Sequence, residues 1–364
     1  MKKIIVLGAG MVGRAMAIDL SGNYEVFSAD ISAENLTKLS ADQIKTIQAD
    51  LSDKNKIKEI VADKDLVIGA VPGFMGFETL KTVIECGKNV SDISFFDEDP
   101  FLLDELAKKN SVTVIMDIGV APGMDNMILG YHNKRMHVDE FICLVGGLPA
   151  ARIWPYEYKA PFSPVDVLEE YTRPARFVKN KELVIKPALS EPELMDFENI
   201  GTLEAFNSDG LRSLIKTMPH IPNMIERTLR YPGHIEIMRM LRETGFFSKD
   251  EIEIKGKTIR PIDLTSKLLF PQWKLGDEEN EFTVMRVVVA GSENNKRVTY
   301  TYDLLDRYDP QTKTSSMART TGYTCTGAAR LILENKFNRK GISTPEFVGE
   351  DENNFREMMQ YLNE

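Results

Sequence analysis

The sequence predicts an α/β chain: a parallel, doubly wound sheet, interrupted by a mixed α+β segment and rejoined by a C-terminal helix. Three observations predict it. Short apolar runs alternate with helical stretches through the first third of the chain. A glycine-rich turn follows the first of those runs. The alternation stops near Gly119, and helical periodicity returns near Ala318.

Lys3–Leu7 reads KIIVL, a β-branched run of the kind a parallel sheet buries on both faces. A helix follows through about Leu20. Residues 24–29 form a second strand ended by Asp30, and 44–48 a short third one. Residues 57–61 are helical, and 66–71 are a buried strand closed by Pro72-Gly73 as a turn. Then come a helix over 79–86, strands over 89–93 and 112–116, and a helix over 100–109 between them. In the middle, 141–145 is a strand and 175–187 a hairpin around Lys179-Asn180-Lys181. Residues 251–259 and 282–302 alternate as strands, the latter turning over 292–296. Helices are expected over 164–170, 211–217 and 234–243. This predicts an antiparallel sheet with an exposed face suited to a subunit contact. Residues 318–335 carry a small-residue face (Thr320, Thr321, Gly322, Thr324, Gly327, Ala328) and are expected to pack back on the first domain. Phe355, Met358, Met359 and Leu362 make the apolar stripe of a last helix. The expected division is 1–118 with about 316–364, and 119–315.

The 364 residues suffice for two domains. Apolar residues at 43% and charged residues at 27% fit a globular chain, not a disordered one. Lys plus Arg number 45 and Asp plus Glu 55, a net charge of −10, so no global attraction to nucleic acid or anionic membrane is expected. The longest uncharged run, 66–77, falls short of the about 20 residues that span a bilayer. Lys2 and Lys3 before an apolar run imitate a signal peptide, but the run is glycine-punctuated and Arg14 interrupts it. Cys86, Cys143 and Cys325 are odd in number and far apart, which suits a reducing cytosol rather than a disulfide framework. No HxxxH or CxxC spacing points to a metal, so none is expected.

The chemistry lies in Gly8-x-Gly10-x-x-Gly13, directly after a strand and opening a helix. The first glycine permits the turn, the second lets backbone approach a pyrophosphate, and the third lets helix and strand pack closely. Met11 and Val12 belong to the same loop, and the helix N-terminus offers free N–H groups to phosphate. Asp30 ends the second strand, where a carboxylate binds ribose hydroxyls. This is the fingerprint of a dinucleotide-binding Rossmann domain. A carboxylate repels a 2′-phosphate and Ile31-Ser32-Ala33 supplies no base to hold one, so NAD is expected over NADP. Asp50 ends the third strand and faces the adenine side or serves as a loop acid or N-cap. Val71 and Pro72 end the fourth strand and are expected near the cofactor.

Residues 117–126 (DIGVAPGMDN) turn sharply at the end of a buried strand, which makes either a substrate shelf or a domain crossover. Polar groups cluster at Tyr158-Lys159 with Ser163, at 208–213 and at 230–234. An Arg suits bidentate capture of a carboxylate, and a His can move protons near neutral pH. Taken singly, each of these equally reads as a surface ion pair or a hydrogen-bonded turn.

The segments GAGMVGRAMAIDL, VIGAVPGFMGF, GVAPGMDNMILG, VGGLP, FSPVDVLEEYTRPAR, SDGLRS, TLRYPGHIE and TTGYTCTGAA run in order through the chain. On them the sequence resembles the saccharopine dehydrogenase family, most closely its short lysine 6-dehydrogenase branch. The resemblance implies a Rossmann domain around a substrate and oligomerisation domain, a homodimer or higher oligomer, and NAD(P)-dependent oxidation of a C–N bond in a lysine-series amino acid. NADP-using saccharopine reductases are expected to carry a base after the second strand, where this chain has Asp30-Ile31-Ser32. They are also expected to carry an Asp before the Pro-Gly of the 117–126 turn, where it has Ala121. Both departures point toward lysine oxidised at its ε-carbon, with saccharopine as the alternative substrate. Arg230 and Arg212 are then expected on the substrate carboxylate, Asp209 on the α-ammonium, and His234 or Lys159 in proton transfer. Asp117 and Ser94 are further expected substrate contacts. A cytoplasmic enzyme with a small-molecule substrate follows. A non-catalytic dinucleotide sensor is the competing class, and a metal-dependent hydrolase is disfavoured by the ligand spacing.

Overall fold

A computed structural model describes residues 1–39 and 43–363; Glu364, the end of the returning segment expected above, lies outside them. By contacts the chain divides into two compact units, Met1–Arg135 with Met317–Glu364, and Met136–Ser316.

The first segment supplies β1 (Lys3–Leu7), β2 (Glu25–Asp30), β3 (Lys45–Gln48), β4 (Leu66–Gly69), β5 (Asn89–Asp92) and β6 (Thr113–Ile115). The middle supplies β7 (His137–Pro149), β8 (Ala175–Lys179), β9 (Glu182–Lys186), β10 (Ser190–Phe197), β11 (Gly201–Asn207), β12 (Asn223–Arg230), β13 (Ile252–Ile254), β14 (Lys257–Ile259), β15 (Glu281–Glu293) and β16 (Lys296–Arg307). The last strand is β17 (Gly341–Ser343).

In the first unit the sheet order is β17-β6-β5-β4-β1-β2-β3, and every pair is parallel. Ile4, Ile5, Val6 and Leu7 are fully buried, as a central strand covered on both faces requires. Burying each such side chain contributes about 1.5–3 kcal/mol. The order reverses between β1 and β4, which opens a crevice at the carboxyl ends of those strands. The helix Ser316–Leu333 does rejoin the first unit, through its small face: a Cβ on Gly322 would lie 3.0 Å from Met16 Cγ, and one on Gly327 2.9 Å from Tyr361. The return also includes a strand, β17, which the sequence does not announce because it is only three residues long.

Three further expectations change. The helix expected from residue 79 runs Gly73–Glu85 with Pro72 as its N-cap, so Pro72-Gly73 starts a helix rather than closing a turn. Residues 119–135 stay with the first unit instead of opening the second. The reason is the helix Met124–Asn133, which packs against Pro345–Gly349 so closely that a Cβ on Gly130 would lie 2.0 Å from Glu346 O. The second unit's sheet is mixed, not antiparallel: in the order β10-β11-β12-β7-β15-β16, β12 runs parallel to β7. The long excursion through β8–β11 supplies the crossover that a parallel pair needs. β10, β11 and β12, and the helix Pro261–Trp273 with Pro271 inside it, carry no clean alternation or period in the sequence. Among the described residues no helix is long and apolar enough to cross a membrane.

Candidate functional site

The glycine loop shows three distinct uses of a missing side chain. At Gly8 the backbone sits at φ +111°, and a Cβ would lie 2.3 Å from Ala70 O. At Gly13 a Cβ would lie 2.1 Å from Gly8 O, so only glycine lets the helix seat against the strand. At Gly10 a Cβ would meet nothing within 4 Å. Crowding therefore explains Gly8 and Gly13 within the protein, but not Gly10. The helix Met11–Ser21 starts there with no side-chain cap and no acid in its first turn, leaving its orphan N–H groups facing that space. Met11 and Val12 are half-buried on this first turn.

Asp30 closes the cradle. Its Oδ2 accepts the Ala9 N–H at 2.7 Å and its Oδ1 accepts the Ser32 N–H at 2.7 Å. The Asn35 amide also approaches Oδ2, at 3.5 Å, so one carboxylate ties the glycine loop to the end of β2 and keeps acceptor capacity on Oδ1 for a ribose hydroxyl. These residues fit a dinucleotide. Val71 is buried at the end of the β4 segment, and Pro72 is exposed as the helix N-cap. Asp50 is exposed, and its Oδ1 accepts from the Ser52 N–H and hydroxyl at 2.9 and 2.7 Å, so it reads as a loop acid; Asp53 is the N-cap.

Two buried acids lie at the carboxyl ends of β5 and β6. Asp92 is 1% exposed and accepts the Ser94 N–H at 2.6 Å. Burial, with the Asp117 charge adding to it, pushes its carboxyl up to about 6. Asp117 is buried at φ +53°, and Ser94 is buried. Sequence reading named Asp117 and Ser94 but missed Asp92, whose strand gives no sign of a carboxylate turned inward.

In the second unit, β12 delivers Arg230 to a buried aromatic cluster. Arg230 lies 4.6 Å over the Tyr158 ring, and the cluster includes Tyr171, Phe206 and Trp273. Its Nη2 donates to Glu170 at 2.8 Å, Nε to the Tyr171 hydroxyl at 3.0 Å, and Nη1 to Leu229 O at 2.9 Å. Burial opposes its charge; Tyr171, Tyr158 and Glu170 outweigh that and hold it protonated. With every nitrogen engaged and 2% exposure, Arg230 is not the carboxylate clamp expected above. Asp209 likewise is not an open ammonium anchor, because Arg176 grips it at 2.7 and 2.8 Å.

His234 opens the helix that follows the turn, and its Nδ1 lies 2.7 Å from Tyr156 O. A carbonyl only accepts, so Nδ1 carries the proton and Nε2 accepts from the Tyr171 hydroxyl at 2.9 Å. Arg230, Tyr171 and His234 therefore form one directed chain of hydrogen bonds. Burial, with the Arg230 charge, drives the imidazole down to about 3. With its Nε2 lone pair taken by Tyr171 inside the buried cluster and its protonated form disfavoured there, it does not serve as the expected base. Lys159 is less tightly held: its Nζ donates to Lys274 O at 3.3 Å and lies 3.9 Å from Glu279, and it lines a cavity of ≈ 60 Å³ with Tyr156, Tyr158, Trp154 and Gln272. Arg212 is 8% exposed at φ +47°. The partners Glu170, Tyr171 and Arg176 were missed because nothing in the spacing of the chain links them to residues 33 to 63 positions away.

Residues 4–115 match the family model for the saccharopine dehydrogenase NADP binding domain, and residues 119–364 that for the saccharopine dehydrogenase C-terminal domain. The saccharopine dehydrogenase (NADP+, L-glutamate-forming) of Pyricularia oryzae is 25% identical over 315 residues, covering 82% of this chain and 69% of that protein. An alpha-aminoadipic semialdehyde synthase of Arabidopsis thaliana is 28% identical over 261 residues, or 65% of this chain; the match spans only 24% of that longer protein. Apo saccharopine dehydrogenase (L-Glu forming) from Saccharomyces cerevisiae has the same fold, with a TM-score of 0.78 at 21% identity, covering 100% of this chain and 97% of that one.

Proposed function

The chain belongs to the saccharopine dehydrogenase family, and from that premise we propose an NAD-dependent oxidoreductase acting on the C–N bond of a lysine-series amino acid. The first substrate of this reading is L-lysine, oxidised at its ε-carbon to 2-aminoadipate 6-semialdehyde. The observation that carries the reading is the cradle at Gly10, open where Gly8 and Gly13 are crowded, with Asp30 bonded across it to Ala9. Asp30 favours NAD, although the matching family model is described as an NADP binding domain.

The nicotinamide, when bound, supplies the hydride acceptor. This chain's side chains must hold the amine, take up its proton so that the lone pair assists, and admit the water that releases ammonia from the imine. Lys159 takes the proton-transfer role. Arg212 takes the carboxylate, with Asp117 and Ser94 as further contacts. Arg230, Tyr171 and His234 act as positioning residues, because their bonds are spent on each other.

Charge favours lysine over saccharopine. Saccharopine carries three carboxylates, whereas Glu170 already neutralises Arg230. The names of the relatives favour saccharopine, which is the second reading. Steady-state kinetics with lysine and saccharopine, each with NAD and NADP, separate the two. Lysine with NAD is expected to give the highest kcat/KM; a higher value for saccharopine transfers the assignment, and turnover of neither favours a dinucleotide sensor. Lys159→Ala is expected to lower kcat by roughly 10²-fold or more with the fold intact.

A further inference from the structure

The glycine cradle follows β1, and Asp30 closes it from the end of β2. A dinucleotide straddles the point where the strand order reverses, so its other half belongs over the carboxyl ends of β4 and β5. In this sheet β5 lies two strands, about 10 Å, from β1.

Those strand ends break two local rules at one spot. Gly69 ends β4 in register with Asp92, and a Cβ there would lie 1.8 Å from Asp92 Oδ2. A glycine inside a sheet weakens it, and a carboxylate at 1% exposure is disfavoured by its burial. Here the glycine makes room for the carboxylate. Local rules broken together in this way mark function rather than stability. Beside it the Ser94 hydroxyl, 2% exposed, has no hydrogen-bond partner among the described residues, as befits a group that awaits a ligand.

The groups that face Asp92 bring no positive charge. Ser94 donates its N–H at 2.6 Å. Asp117 adds a like charge from the segment after β6, where the Ile118 N–H donates to Asp92 O at 3.3 Å. The helix Gly73–Glu85 meets Ser94 at Gly76. The helix Ser316–Leu333 brings the Cys325 thiol, which burial pushes up to about 12 and so keeps neutral.

We propose that Asp92 is an electrostatic selector for the oxidised dinucleotide. Its carboxylate attracts the positively charged nicotinamide ring of NAD+ and finds no charge to attract in the neutral ring of NADH. This rests on the reading of the glycine cradle as a dinucleotide site. Contact is not required, because a charge in a buried setting acts over several Å. At an effective dielectric near 20 that attraction is worth on the order of tenfold or more in binding. Hydride transfer discharges the ring, so Asp92 favours entry of the oxidised cofactor and departure of the reduced one. Since burial holds its carboxyl at about 6, NAD+ binds better as pH rises through that value.

Binding of each cofactor form to the full chain without substrate tests this, by calorimetry for NAD+ and fluorescence titration for NADH. Asp92→Asn is expected to raise the NAD+ dissociation constant at least fivefold and to move that for NADH less than twofold. From pH 5 to 7.5 the wild type is expected to tighten on NAD+ at least threefold more than on NADH, and Asp92→Asn to lose that difference. Asp63→Asn removes an exposed acid paired with Lys3 at the opposite end of the sheet, and is expected to change neither constant. If the wild type binds both forms and Asp92→Asn leaves their ratio unchanged, the proposal is overturned and the cradle reading stands. An equal loss for both forms, which marks a structural role, also overturns it, as does the same shift from Asp63→Asn. Failure of the wild type to bind either form overturns the cradle reading and the proposal with it.

Discussion

Glu170 and Arg230, sixty residues apart in sequence, close an ion pair at 2.8 Å with the guanidinium almost wholly buried. Glu170→Gln leaves that buried charge uncompensated. A loss of about 3–5 kcal/mol in unfolding free energy is expected by denaturant titration. The double variant Glu170→Gln, Arg230→Met removes both charges and is expected to lose less than the single one. Equal losses would show the pair to be uncoupled.

His234 makes stability depend on acid. Its folded value, about 3, lies below its unfolded 6.5, so the unfolded chain binds the extra proton. Stability is full above about pH 6.5 and falls toward pH 3, by about 1.4 kcal/mol per pH unit. In an Asp92→Asn background, thermal melts from pH 7 to 4 are expected to show this slope, and adding His234→Asn to flatten it while lowering stability at pH 7.

Asp92 works in the opposite sense. Its folded value, about 6, lies above its unfolded 3.8, so the folded chain binds the extra proton. Its contribution is full below pH 3.8 and is lost as pH rises through 6. Relative to wild type, Asp92→Asn is expected to gain roughly 1.4 kcal/mol per pH unit between pH 4 and 6. The two slopes oppose over that range, so the wild type is expected to be flatter there than either variant.

The glycine loop separates folding from binding. Gly10→Ala has room, and its melting temperature is expected within about 2 °C of wild type, while its dissociation constant for NADH by fluorescence titration rises tenfold or more. Gly8→Ala places a methyl 2.3 Å from Ala70 O at positive φ and is expected to destabilise the fold itself. A Gly10→Ala chain that binds normally argues against a dinucleotide in this cradle.

Asp30 and Ile31 set cofactor choice. Ile31 is 65% exposed beside the carboxylate. Asp30→Ser with Ile31→Arg is expected to shift the ratio of NADP to NAD affinity at least tenfold toward NADP. An unchanged ratio would remove Asp30 from the ribose site.

The first unit was legible where its buried strands are local apolar runs, as β1, β4 and β6 are, and because its glycine loop is local too; the three-residue β17 was not. The hairpin of β8 and β9 was also legible, since its turn lies at Asn180-Lys181 between the two runs. The polar chain of the second unit was only half legible. Arg230 and His234 stood out as types in a rigid turn, but their meaning depends on Tyr171 and Glu170, which a different helix brings in. The sequence therefore supplies the charged groups and not their partners. An arginine already closed by a glutamate looks, in one dimension, the same as one waiting for a substrate.

β17 also affects the order in which the protein can be made. The sheet's outer strand β6 emerges from the ribosome early, but its neighbour lies at Gly341–Ser343. At roughly 5–20 residues per second, some tens of seconds of synthesis of the intervening chain must pass before β17 arrives. During that interval the β6 edge is exposed on the nascent chain, while the second unit, Met136–Ser316, is continuous and free to fold ahead of it. A chain truncated before residue 341 keeps that edge open and is expected to be bound by chaperones, and slowing translation just upstream of β17 is expected to lengthen the aggregation-prone period without changing any residue of the finished protein.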